Sequence, residues 1–322
     1  MNHLYQPEGA RIASAQNREY LSSLSGLERA MNTGAIVEGI VTLCDGELRL
    51  HVDLGCACGI IEPSEALLCR IGEERKDIAI ISRVGKPVAF CILSIEHREG
   101  GVPVAILSRR RAQVMCMRYL QTELCVGDLL PARVTHLEPF GAFVDIGCGV
   151  SSLLSVDCIS VSRISHPRDR LTPGMLLWVV VKSIDRESGR IYVSLRELLG
   201  TWEENVANFE AGQTVAGIIR SVESYGVFVE LAPNLAGLAE LKNESVEDMR
   251  QKIGQSAAVY IKSIVPERMK IKLVLIDVAG TGHTERKLNY FVDPAVTPHL
   301  YHWLYSPPGS RKVIETVFDE PV

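Results

Sequence analysis

The stretch Pro139-Phe140-Gly141-Ala142-Phe143-Val144-Asp145-Ile146 places Ala142, Val144 and Ile146 at every second position, the period of a β-strand with one apolar face. Phe143 then points off that face, and Phe140 sits beside it across a flexible glycine. Two aromatics turned away from a core call for a role. About 85 residues later the arrangement returns as Ser224-Tyr225-Gly226-Val227-Phe228-Val229-Glu230-Leu231. Two copies in one chain point to a repeated module that keeps an aromatic platform.

The rest of the chain is consistent with such modules. Its 322 residues predict two or three domains, and the hydrophobic fraction of 47% is enough for each to bury a core. No apolar run approaches the roughly 18 residues of a membrane-spanning helix, and the first residues carry no secretory pattern. The expectation is a cytoplasmic protein with no membrane contact. Nine cysteines lie between Cys44 and Cys158 without a Cys-x-x-Cys pair, which suits small buried apolar residues in a reducing compartment better than disulfides or zinc. His283, His299 and His302 fit no tight ligand spacing, so no metal and no cofactor are expected. No phosphate-binding glycine loop or nucleophile motif occurs, so no catalytic residue is assigned and the chain reads as non-enzymatic. A net charge of −5 argues against holding nucleic acid by bulk charge and leaves local patches and base stacking.

Taken in order, residues 1–13 read as a poorly ordered lead-in, followed by one helix from Ser14 to about Met31 (unit 1–31). Short strands then fall at Ala35–Val41, Leu48–Leu54, Gly59–Ile61, Pro87–Ile95 and Val102–Leu107, a small β-barrel over 32–108. A helical linker covers 109–124; its Arg109-Arg110-Arg111 run is either a solvated helix start or a phosphate clamp. The second unit spans 125–198. Thr201 and Glu204 have capping-box spacing and predict a short linker helix within 199–210. The third unit spans 211–276. Lys287–Val292, His302–Tyr305 and Val313–Phe318 have strand character and predict a β-rich tail, 277–322, packed on the third unit.

Val126-Gly127-Asp128, the Phe140–Val144 strand, Leu171-Thr172-Pro173-Gly174 and Ile184-Asp185-Arg186-Glu187-Ser188-Gly189-Arg190-Ile191-Tyr192-Val193-Ser194-Leu195 resemble the S1 RNA-binding domain family. The likeness is strong in the second unit, good in the third and weaker in the first, about three quarters of the chain together. It implies a mainly β fold: three tandem OB-type five-stranded barrels joined by short helical linkers, with an N-terminal helix and a β-rich tail. It also implies RNA-binding positions at Phe140, Phe143, Asp185 and Arg190 in the second unit, and at Tyr225, Phe228 and Lys270 in the third. Tandem copies without a catalytic domain are similar to the bacterial ribosomal S1 family. The resemblance therefore implies single-stranded RNA, messenger RNA in translation, as ligand, and a chain that is a monomer away from the ribosome. The first unit departs from the pattern, with Leu48 and His51 at the aromatic positions and Val104 at the basic one. That departure points to docking on protein, such as the small ribosomal subunit. A histidine common on the family's third strand is replaced by Glu62, Ser155 and Glu240, and Val265 replaces the hairpin acid of the third unit. A protein-interaction scaffold and an RNA-delivery subunit of a processing assembly are the alternative readings.

Overall fold

The structure, a computed structural model, describes residues 5–69, 76–97, 101–241, 245–279 and 288–318. Three closed five-stranded barrels follow one another. The first is built from β1 (Val37–Cys44), β2 (Leu50–Asp53), β3 (Cys58–Ile61), β4 (Pro87–Glu96) and β5 (Val104–Ser108), in the order β1-β2-β3-β5-β4. The second uses β6 (Leu129–Glu138), β7 (Gly141–Asp145), β8 (Ser151–Ser155), β9 (Leu176–Asp185) and β10 (Arg190–Ser194), and the third β11 (Thr214–Glu223), β12 (Gly226–Ala232), β13 (Leu235–Ala239), β14 (Ser256–Val265) and β15 (Lys270–Val278), each in the same order. This is the mainly β, OB-type architecture implied by the sequence.

Closure has a common local cause. The first strand of every barrel shifts register against its partner at the same place, between Val41 and Leu43, Val134 and His136, and Ile219 and Ser221. A bulge bends a strand and increases its twist, which lets five short strands meet as a ring. Alternation fills the interior: Ala142, Val144 and Ile146 are buried together with Leu154, Val179, Val181, Ile191 and Val193.

The first barrel is preceded by two helices, not one: α1 (Ala15–Leu21) and α2 (Leu24–Thr33). Ser23 is extended and its side chain accepts the Gly26 amide at 3.1 Å, so a second helix start interrupts the apolar spacing. Residues 5–13 are packed rather than trailing. Glu8 is buried, and Gly9 and Arg11 donate backbone hydrogen bonds to Glu38 at 3.0 and 2.9 Å. Short α3 (Asp77–Ile81) lies within the first barrel's sequence, and α4 (Arg109–Thr122) leads to the second barrel, followed by α5 (Val156–Ile159), α6 (Trp202–Val206) and α7 (Val246–Arg250). Thr201 and Glu204 form the capping box at the start of α6.

Arg109 is not solvated. It is buried and grips Glu8 with two hydrogen bonds, Nε to Oε1 at 2.7 Å and Nη2 to Oε2 at 2.9 Å. Glu8 also accepts from the Ala89 amide of β4 at 3.1 Å and donates its own amide to Asp145 of β7 at 2.7 Å. One residue thus joins the first barrel, the linker helix and the second barrel. Arg110 and Arg111 remain exposed, with Arg110 paired to Glu65 at 2.6 Å.

The tail pairs β16 (His302–Leu304) with β17 (Glu315–Val317). Residues 288–292 form no strand, and Lys287 lies outside the described residues. Nor does the tail pack on the third barrel alone. Tyr290 Oη accepts from Trp178 of β9 at 3.1 Å, Leu129 donates to the Pro298 carbonyl at 2.9 Å, and His299 meets Asp128 at 2.7 Å. Tyr305 bonds the Asn234 carbonyl at 2.5 Å, and Asn234 in turn reaches Arg196 and Gly200. The tail is a strap across the second and third barrels, placed there by aromatics too large to stay in water.

All nine cysteines are free; Cys91, Cys116, Cys148 and Cys158 are buried, whereas Cys58 is exposed against the expectation of burial. Among the described residues no helix is long and apolar enough to cross a membrane.

Candidate nucleic-acid interface

The Pro139–Phe140 turn and β7 place two rings on the outer wall of the second barrel. Phe140 is 55% exposed and Phe143 half-buried, with centroids 6.1 Å apart and planes at 89°. In the third barrel Tyr225 is 61% exposed and meets half-buried Phe228 at 6.2 Å and 87°. Two barrels with different sequences hold the same edge-to-face pair. Edge-to-face contact fixes the rings and leaves a face of each pair open.

Cross-strand register extends each platform. Phe143 lies opposite Leu153 of β8, and Leu153 opposite Tyr192 of β10. Phe228 lies opposite Leu238, and Leu238 opposite Lys272. Tyr192 and Lys272 were not singled out from the sequence. Ile191 and Val193 are buried on either side of Tyr192, so alternation alone would have turned its ring outward. Phe143, Leu153, Arg190 and Tyr192 line a shallow cleft of about 220 Å³. The bulge contributes as well: Thr135 donates its hydroxyl to the Phe143 carbonyl at 3.0 Å, which steadies the strand beneath the ring.

Arg190 and Lys270 each open the final strand of their barrel and are exposed. Asp185 faces Arg190 across the hairpin. Its carboxylate closes the turn, accepting from the Glu187 and Ser188 amides at 3.1 Å each and from the Ser188 hydroxyl. These bonds, the Ser188 hydroxyl first, hold the Asp185 carboxyl below its usual range. In the third barrel Val265 faces Lys270, so the basic residue stands without the acid.

The first barrel has the same register and a different surface. His51 lies opposite Ile60, and Ile60 opposite Ile106, so His51 occupies the place of Phe143 and Phe228. Asp45 engages it at 3.0 Å and also takes Arg49 at 2.8 Å. The His51 hydrogen bond, ahead of those from Arg49, pulls the Asp45 carboxyl well below the usual range. Leu48, the other platform position, sits in a turn at φ 63°.

One strand position serves a second purpose. Asp145 and Glu230 each follow their platform phenylalanine by two residues, and both are buried at a seam with preceding chain. Asp145 accepts from the Glu8, Gly147 and Gly149 amides. Glu230 pairs with Arg170 of the second barrel's long loop at 2.6 Å and with Arg220. The equivalent Asp53 of the first barrel is exposed and accepts from the Gly55 amide of its own turn at 2.8 Å.

Among the described residues no cluster of three or more His, Cys, Asp or Glu is placed to hold a metal. His299 and His302 pair with Asp128 and Glu315 instead, and His283 lies outside the described residues.

Comparison with known proteins agrees with this geometry. The family described as "S1 RNA binding domain" matches residues 123–196, so the second barrel with its paired aromatics is an S1-type OB module. A small ribosomal subunit protein bS1 of Staphylococcus aureus is 32% identical over 276 residues, 82% of this chain and 67% of that one. The Leuconostoc lactis bS1 is 34% identical over 178 residues, 52% of this chain and 41% of its own length. The Chlamydia muridarum bS1 is 26% identical over 286 residues, 86% of this chain and 49% of that one. The chain belongs to the bacterial small ribosomal subunit protein bS1 family. It spans about half the length of the curated relatives it matches.

Proposed function

We propose that the protein is a non-enzymatic, cytoplasmic binder of single-stranded RNA that acts in translation with the small ribosomal subunit and presents messenger RNA to it. The second and third barrels hold the strand, with bases stacked on Phe140, Phe143 and Tyr192 in one and on Tyr225 and Phe228 in the other. Arg190, Lys270 and Lys272 meet phosphate, and Asp185 holds the hairpin that presents Arg190. The observation that carries this reading is the matched edge-to-face pair in two barrels, at 6.1 and 6.2 Å. Stacking contributes about 1–3 kcal/mol per base and tolerates any sequence, so it suits a chain with a net charge of −5.

The first barrel docks on protein. Its platform histidine is occupied by Asp45, and it exposes Ile40 and Leu43 on β1 and Ile78 and Ile81 on α3. An apolar surface of this kind favours a protein partner over a polyanion.

Fluorescence anisotropy with an unstructured, labelled RNA tests the division of labour. Phe143→Ala and Phe228→Ala each weaken binding, and His51→Ala does not. Equal, small effects from all three would remove the stacking platform as the source of affinity.

A further inference from the structure

Between the first and second barrels lies a cleft of about 370 Å³ whose lining includes Arg83, Lys86 and Arg133. Arg83 and Lys86 come from the turn before β4, and Arg133 from β6. Two carboxylates, Glu8 and Asp145, also reach its wall. Both are already committed: Glu8 to the paired bonds from Arg109, Asp145 to three backbone amides. Arg83 stands 3.8 Å from Glu8, too far for a hydrogen bond, and Arg133 uses one Nη on the Gly174 carbonyl at 3.0 Å. Lys86 is exposed and Arg83 keeps 23% of its side chain open. Burial, with the nearby Arg109 charge second, lowers the Arg83 guanidinium pKa. In a chain that carries net negative charge, three cations converging on one cleft favour an anion.

The cleft adjoins the platform. Thr135, on its wall, bonds the Phe143 carbonyl, and Arg133 faces Asp145 across β6 and β7. Asp145 lies two residues past Phe143, about 7 Å along the strand. A single nucleotide spans that distance.

We propose that this cleft is a phosphodiester subsite, in which Arg83, Lys86 and Arg133 hold the RNA backbone next to the base stacked on Phe143. The first barrel therefore contributes cations to the RNA track although its own aromatic platform is lost. The inference rests on the RNA-binding reading above and adds to it a site shared by two barrels.

The test is the salt dependence of binding by the full chain to a labelled oligouridylate, for the wild type, Lys86→Gln, Arg83→Gln and Phe143→Ala. Each phosphate contact on a single strand contributes about −0.7 to the slope of log K against log salt. Lys86→Gln and Arg83→Gln should each make the slope shallower by about that amount and weaken binding several-fold at low salt. Phe143→Ala should weaken binding at every salt concentration with the slope unchanged. Lys86 is exposed, so its variant reports on the cleft even if Arg83→Gln fails to fold. Unchanged slopes in both cleft variants, with Phe143→Ala still defective, would overturn the subsite and leave the platform standing. Absence of wild-type binding, or an inert Phe143→Ala with inert cleft variants, would overturn both. Cleft variants that bind RNA normally and lose co-sedimentation with small subunits would assign the cleft to a protein instead.

Discussion

Arg170 and Glu230 meet at 2.6 Å, sixty positions apart in sequence, with both side chains buried in the seam between the second and third barrels. Arg220 reaches the same carboxylate and also bonds the Asp169 carbonyl at 3.1 Å. Removal of Glu230 would leave the buried Arg170 guanidinium without its acid and Arg220 with the more distant Asp169 carboxylate at 3.8 Å. Breaking a buried pair in this way costs about 3–5 kcal/mol. Glu230→Ala should lower the urea midpoint accordingly, and a loss below about 1 kcal/mol would show that the seam is held by apolar packing alone.

Tyr192 and Lys272 occupy one register position in different barrels, so their replacement should have different signatures. Tyr192→Ala is expected to cost about 1–3 kcal/mol of RNA affinity with no change in salt slope. Lys272→Ala should reduce the slope by about 0.7 and have a smaller effect at high salt. Titrations at two salt concentrations distinguish the two.

Glu38 should make stability depend on pH. It is fully buried, and burial outweighs the amides of Arg11 and Gly9 to push its carboxyl up to about 7. A folded-state value above the unfolded one means that the folded chain binds more protons, so stability falls as pH rises between about 4.5 and about 7. The loss between pH 5 and pH 8 is about 2 kcal/mol. Glu38→Gln, which keeps the acceptor oxygen for both amides, should be the more stable protein at pH 8 and lose that advantage by pH 5. Parallel thermal melts of the two chains across this range check the sign.

Gly149 carries the clearest steric restriction. Its φ is +77°, and a methyl group there would lie 2.0 Å from Arg109 Nη2 and 2.8 Å from Glu8 Oε2. Gly174 has φ +89° with open space around it. Gly174→Ala should therefore show backbone strain alone, about 1 kcal/mol, whereas Gly149→Ala adds displacement of the Glu8–Arg109 pair and should cost at least about 3 kcal/mol. Equal melting temperatures for the two variants would contradict this role for the pair.

Strand content and the aromatic positions were legible in the sequence because each depends on neighbours within a few residues, and the three barrels followed from the resemblance to the S1 family. Alternation at Ala142, Val144 and Ile146 sets which way Phe143 points, and the Thr201–Glu204 spacing sets where α6 begins. The break between α1 and α2 was equally local, but the apolar spacing of Tyr20, Leu21 and Leu24 masked the cap at Ser23.

Long-range partners were not legible. Arg109, Arg110 and Arg111 are one run of identical side chains, and only Arg109 is buried on Glu8, a residue 101 positions away. Nothing within a few residues of Asp145 or Glu230 indicates the seams in which both are buried. The residues Tyr290, Trp303 and Tyr305 carry strand character without any indication that they strap two barrels together. Sequence by itself determined the strands and the faces that carry aromatic rings, since side-chain period and turn chemistry act over a few residues. Only the tertiary structure decided how the barrels are joined and where the Arg83–Lys86–Arg133 cleft opens, because charge pairing and aromatic burial depend on distance in space and not along the chain.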